Sequence, residues 1–286
     1  MPISSQVTVA LAQIDATLGD LKANVARHLE SIAKAKEGGA DLVVFPELSL
    51  TGYAVKDLNW DAAVDLRNPS ILQPLIDASR HITIIAGGIE ESERFGLYNV
   101  ALVMEAGEIR HVHRKVYTPT YGLFEEARHF LPGDKVRAFD SRLGRTGVLV
   151  CEDMWHVSLP YLLTQQGTWL IVGIHASPTR IAPGEKDMAV ARINEEHYRV
   201  YARLLGSYVV FCNRVGVEDG VGFWGGSLVA DPSGELVVQA KYFDEDLVFA
   251  RIDTNVVARA RRSSRHVLDE NPDIVLRELT RLRSGK

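Results

Sequence analysis

A chain of 286 residues, 46% hydrophobic and 24% charged, has the composition of an ordinary globular protein and is long enough for one large core. Its 37 acidic against 32 basic residues leave a net charge of -5, which supplies no long-range pull toward nucleic acid or an anionic membrane. Two cysteines, Cys151 and Cys212, are too few for a disulfide-stapled scaffold, and Met1 to Val7 holds no basic leader with an apolar core behind it. With no run of about 18 apolar residues either, a cytoplasmic protein without membrane or nucleic-acid partners is expected.

In chain order, Val7 to Ile14 is a short apolar run suited to a buried strand, and Asp20 to Lys36 carries helical spacing through Leu21, Val25, Leu29, Ile32 and Ala35. Asp41 to Phe45 reads as a second buried strand, so the opening predicts a sheet covered by helices. Ile82 to Ile89, a hairpin over Tyr98 to Arg114 turning at Ala106-Gly107, and Gly147 to Val150 continue the strands. Helices are predicted at Leu159 to Gln166 and Asp187 to Leu205. Further strands are expected at Ser207 to Cys212, Ser227 to Ala230, Leu236 to Gln239 and Leu247 to Ile252, with Asp231-Pro232-Ser233-Gly234 as a turn. Asn271 and Pro272 read as the cap and first residue of a terminal helix with Arg277, Arg281 and Arg283 near its end. The basic cluster Arg259, Arg261, Arg262 and Arg265 reads as a solvated or inter-subunit face. No linker divides the chain.

Cys151 ends the apolar run Gly147 to Val150 and is followed abruptly by Glu152-Asp153-Met154-Trp155, which places a thiol at the carboxyl edge of a sheet, a common position for nucleophiles. A free thiol needs a base or a cation to react. Glu47 and Lys115 each stand just beyond a strand and are candidates, although read singly each also suits an exposed surface. Cys212 ends Val209-Val210-Phe211 with no partner in its sequence surroundings and reads as a small core residue. Two patterns are set aside. Gly220 to Gly225 satisfies G-x-G-x-x-G, but the adjoining segment, Gly226 to Ala230, reads as a strand rather than the helix that would hold a pyrophosphate. His111 and His113 alternate on a strand without the companions of a metal site and read as ordinary strand histidines.

The segments Phe45-Pro46-Glu47-Leu48-Ser49-Leu50-Thr51-Gly52-Tyr53, His113-Arg114-Lys115-Val116-Tyr117 and Val148-Leu149-Val150-Cys151-Glu152-Asp153 resemble, in order and separation, the three signature blocks of the nitrilase (carbon-nitrogen hydrolase) superfamily. The likeness extends through Ala10 to Gln13, His175-Ala176-Ser177-Pro178, Asn213-Arg214-Val215-Gly216 and Gly226 to Gly234. It implies a single-domain α/β fold, an α-β-β-α sandwich over 1–286, with 254–286 docked at an oligomer interface. It implies a Glu47-Lys115-Cys151 active site without cofactor or metal, and a second glutamate, for which the alignment selects Glu126 with Glu125 as the neighbouring alternative. Tyr53, Tyr121, Glu152, Trp155 and His175 are the expected oxyanion or substrate contacts.

Thr17 to Leu21, Tyr121-Gly122-Leu123-Phe124 and Cys151 to Trp155 are similar to the glutaminase domain of glutamine-dependent NAD synthetases, yet the chain stops at Lys286 with no room for a synthetase half and has no G-x-x-x-x-G-K-[ST] loop. His175 stands where many relatives have Asn, and Glu152 where an aromatic residue is common. The resemblance therefore implies hydrolysis of a small amide or N-carbamoyl compound by a homo-oligomer, releasing ammonia through a cysteine thioester. The alternatives are a nitrilase acting on C≡N and a glutaminase-like subunit feeding a separate synthetase.

Overall fold

The structure is a computed structural model that describes residues 5–179 and 188–285. Its first half contains β1 (Gln6–Gln13), α1 (Leu21–Glu37), β2 (Leu42–Val44), α2 (Asn59–Ala62), β3 (Val64–Asp65), α3 (Gln73–Ala78), β4 (Thr83–Glu91), β5 (Leu97–Glu105), β6 (Glu108–Arg114) and the one-turn α4 (Glu126–His129). The second half contains β7 (Phe139–Ser141), β8 (Gly144–Val150), α5 (Ser158–Gln165), β9 (Leu170–His175), β10 (Pro178–Thr179), α6 (Ala189–Leu205) and β11 (Tyr208–Asn213). It closes with β12 (Val215–Glu218), β13 (Val221–Trp224), β14 (Leu228–Ala230), β15 (Leu236–Gln239), β16 (Asp246–Asp253), α7 (Thr254–Ser263) and α8 (Pro272–Arg283).

Two sheets face each other. One runs β16-β1-β2-β4-β5-β6, with β3 beside the end of β4; the other runs β15-β14-β11-β9-β8-β7. Their centres are parallel (β1-β2-β4 and β8-β9-β11) and their flanks antiparallel. Alternate residues of each central strand point to opposite faces. Val9, Leu11, Val44 and Ile85 therefore meet Val148, Val150, Val172 and Val210 between the sheets. Ala10, Val43 and Ile84 pack outward with Val25 and Ile32 of α1 and Leu75 of α3. Leu149, Ile171 and Val209 pack outward with Leu163 of α5 and Tyr198 and Ala202 of α6. Four layers, α-β-β-α, result, and burial on both faces is why these strands read as unbroken apolar runs.

The β5-β6 hairpin turns at Ala106-Gly107, whose φ values of 57° and 82° are those of a two-residue turn matched to strand twist. Residues 220–225, whose spacing mimics a nucleotide motif, lie largely on β13 of a separate three-stranded sheet, order β10-β13-β12. Some expectations need correction. The strand expected from Ser227 starts at Leu228, because Gly225 and Gly226 both hold positive φ. Arg261, read as part of a basic surface, turns inward: its Nε donates to the Gly206 carbonyl at 2.9 Å and a terminal nitrogen to the Ser207 hydroxyl at 2.9 Å. The helix predicted from Asp187 begins at Ala189, and Asp187 itself lies outside the described residues. α8 starts at Pro272 as expected, but the Asn271 side chain makes no cap bond and all of α8 is exposed.

Candidate active site

Glu47 is carried by the segment that leaves β2 and crosses β4. Phe45 N–H donates to the Ile85 carbonyl at 2.8 Å and Leu50 N–H to that of Gly87 at 3.0 Å, which lays residues 46–48 flat on Gly87. A Cβ on Gly87 would lie 2.4 Å from Leu48 N and 2.7 Å from Glu47 Cα, so only glycine admits this approach. The Glu47 carboxylate is fully enclosed. Asn99 Nδ2 donates to its Oε1 at 2.7 Å, Lys115 Nζ to the same oxygen at 2.8 Å, and Ala176 N–H to Oε2 at 2.8 Å.

Lys115 follows β6, with its own N–H on the Asn99 carbonyl at 2.9 Å and its carbonyl accepting from Gly133 N–H at 2.7 Å. Its Nζ bridges Glu47 and Glu126, the latter at 2.7 Å. Burial alone would favour the neutral amine, but the Glu126 and Glu47 carboxylates overcome it and hold the pKa well above the usual lysine range. Glu126, the first residue of α4, is the glutamate that reaches the site: its Oε1 also accepts from the Tyr53 hydroxyl at 2.7 Å, while Glu125 is exposed. Burial raises the Glu126 pKa to about 7, with Lys115 opposing the shift and Glu47 adding to it.

Cys151 comes directly off β8 at φ 45°, a left-handed conformation that a cysteine rarely adopts, and begins a short 3-10 helix, Cys151–Trp155. The strained turn lifts its side chain off the strand. Burial and the neighbouring Glu47 push the thiol pKa well above normal, against the pull of Lys115. That direction favours the thiol over the thiolate, and a thiol becomes a nucleophile only when a base takes its proton.

The remaining expected contacts separate. Tyr121 is exposed and donates its hydroxyl to Glu152 Oε2 at 2.8 Å, forming a polar pair beside the turn that carries Cys151. Tyr53 and Glu126 border a cavity of about 180 Å³ that Asn59, Leu123, Phe130 and Phe223 also line. Trp155 is exposed and meets the His197 ring edge-on at 4.7 Å. His175 is enclosed against Tyr198 and Phe211 toward α6, its Nε2 hydrogen-bonded with the Tyr198 hydroxyl at 2.7 Å. Burial lowers its pKa well below the usual histidine range. Its neighbour Ala176 supplies the contact to Glu47 through the backbone, so position 175 matters for where it sets the chain. Asn99 escaped notice in the sequence, since an asparagine inside a strand announces no role; its only signal is a polar side chain in an otherwise apolar run.

The carbon-nitrogen hydrolase family pattern matches residues 8–262. The glutamine-dependent NAD(+) synthetase of Thermotoga maritima is 34% identical over 252 residues, covering 87% of this chain and 42% of that protein. The chain thus spans less than half the length of this curated relative. The structure of glutamine-dependent NAD+ synthetase from Acinetobacter baumannii superposes with a TM-score of 0.78 at 30% identity, over 88% of this chain and 46% of the other. The fold is also that of a carbon-nitrogen hydrolase from Helicobacter pylori, with a TM-score of 0.84 at 24% identity over 96% and 98% of the two chains.

Proposed function

This chain belongs to the carbon-nitrogen hydrolase family, and on that premise we propose that it hydrolyses a small primary amide to a carboxylic acid and ammonia, with Cys151 as nucleophile. The observation that carries the reading is the enclosed Lys115 side chain shared between Glu47 and Glu126, with the Cys151 thiol close enough to feel all three. Glu47 takes the thiol proton as Sγ bonds to the carbonyl carbon, and the C=O electron pair moves to oxygen. Lys115 and the backbone N–H of Glu152, in the first turn of the 3-10 helix, stabilise that oxyanion; one such donor is worth about 100- to 1,000-fold in rate.

Collapse breaks the carbon-nitrogen bond. Glu47 hands its proton to the leaving nitrogen, ammonia departs and a thioester remains. The same carboxylate then deprotonates a water that attacks the thioester, and the thiol leaves with that proton. Glu126 holds Lys115 from the far side, so the ammonium keeps a partner while Glu47 changes its protonation state.

The names of the relatives favour the side-chain carboxamide of glutamine as the first amide to test. Because the chain matches less than half of those synthetases, a second reading is a glutaminase-like subunit that feeds ammonia to a separate synthetase. Ammonia release from glutamine, asparagine, aliphatic amides, N-carbamoyl amino acids and nitriles separates these. Turnover of a primary amide that disappears in Cys151→Ala is the expected result. Turnover of nitriles alone would reassign the substrate, and full activity in Cys151→Ala would remove the mechanism.

A further inference from the structure

Asp153 lies two residues after the nucleophile with a side chain that is completely enclosed. Its Oδ1 accepts from Val116 N–H at 2.9 Å and Tyr117 N–H at 3.0 Å, the two amides that follow Lys115. Its Oδ2 accepts from Val150 N–H at 3.2 Å, immediately before Cys151, and from His113 Nε2 at 2.8 Å, two residues before Lys115. One carboxylate therefore grips the chain on both sides of the lysine and at the residue from which the cysteine turns. His113 is itself only 2% exposed, so it is the enclosed partner of a fully enclosed acid. None of these contacts involves the Cys151 sulfur, the Lys115 ammonium or either glutamate that binds it.

We propose that Asp153, braced by His113, is a positioning residue that fixes the thiol of Cys151 relative to the ammonium of Lys115. Two physical facts make the clamp necessary. Lys115 comes from the first sheet and Cys151 from the second, so their separation is set across a largely apolar inter-sheet layer, and the Cys212 hydrogen bond to the Val44 carbonyl that crosses it touches neither residue. Cys151 also sits at positive φ, a conformation that persists only where neighbours over-determine it, and the Val150 bond to Asp153 is the anchor next to it. Displacement of a reacting group by about 1 Å costs on the order of 100-fold in rate.

The inference rests on the chemistry proposed for Cys151, and its test is arranged so that the two can fail separately. Asp153→Asn keeps the shape but turns an N–H toward donors that now meet no acceptor. His113→Gln retains a donor; His113→Leu does not. Ile32→Ala, on the buried face of α1, is the control for loss of stability alone. Each is assayed for amide hydrolysis beside Cys151→Ala, with kcat, KM and the pH dependence of kcat/KM.

Asp153→Asn is expected to lower kcat by about 10- to 100-fold with little change in KM, to leave the midpoint of the acid limb in place, and to exceed any loss in Ile32→Ala. His113→Leu should follow it and His113→Gln should largely restore activity. The proposal is overturned if Asp153→Asn and His113→Leu both keep kcat within about twofold of the parent, if His113→Gln is no better than His113→Leu, or if the loss is matched by Ile32→Ala. An active Cys151→Ala would instead remove the reading on which the proposal stands.

Discussion

Burial raises the Glu126 pKa to about 7, and on the proposed mechanism this should make activity depend on pH. Below that pH the carboxyl is neutral, Lys115 is left with Glu47 as its only anionic partner, and Glu47 is less free to take the thiol proton. Activity should therefore fall as pH drops through about 7. In Glu126→Gln the plateau should be lower and the acid limb absent; an unchanged limb, read from a pH-rate profile, would assign the titration elsewhere. Cys212→Ala should remain active, because the Cys212 thiol donates to the Val44 carbonyl at 3.2 Å between the sheets and touches nothing that reacts.

The three side chains proposed to react, Glu47, Lys115 and Cys151, were selected in the sequence by the resemblance of their blocks to a family pattern, because read singly a strand-end glutamate, lysine or cysteine suits a surface or core role equally well. The choice between Glu125 and Glu126 was not, since it depends on the one-turn helix that sends only the second inward. Asp153 and His113 were visible as residues but not as a pair, because 40 positions separate them in the chain.

At the scale of elements, the segment that carries Glu47 depends on one absent side chain. Gly87→Ala would force its Cβ into the backbone of residues 46–48, none of which can yield without moving the Glu47 carboxylate. We expect a stability loss of about 1–3 kcal/mol and a fall in kcat of at least about tenfold. Thermal melts with matched turnover measurements check this, and normal kcat in a folded Gly87→Ala would show that the segment tolerates displacement. The central strands were readable in sequence since burial on both faces writes a continuous apolar run. The β12-β13 hairpin was not, because Gly216, Gly220 and Gly222 dilute its apolar pattern and its turn, Asp219-Gly220, holds φ of 50° and 78°.

Over the whole molecule, α7 and α8 behave differently. Val257 of α7 enters the inter-sheet core, and Asp253 caps that helix by accepting from Asn255 N–H at 2.8 Å. α8 leaves Ile274, Leu276, Leu279 and Leu282 exposed, and no helix among the described residues is long and apolar enough to cross a membrane. A second copy of the chain is the occupant the family resemblance implies. Sedimentation at micromolar concentration should show a species larger than 31.7 kDa, and Leu279→Glu with Leu282→Glu should shift it toward that mass. A single 31.7 kDa species in the parent chain would contradict this. The terminal helix was legible from its Pro272 start, but its place in an assembly is not a property that periodicity can carry.

The assignment of roles to Glu47 and Lys115 is tested most directly by the acyl-enzyme. Glu47 only accepts hydrogen bonds, from Asn99, Lys115 and Ala176, so Glu47→Gln loses one of them as well as its basicity. With an activated ester, whose leaving group needs no proton, that variant should still acylate slowly and then accumulate thioester for want of a base to activate water. Lys115→Ala lacks the cation for either oxyanion and should accumulate none. Intact-protein mass spectrometry after mixing each variant with the ester should find the acyl mass on Glu47→Gln, located at Cys151, and only unmodified Lys115→Ala. A persistent adduct on Lys115→Ala with none on Glu47→Gln would contradict the account.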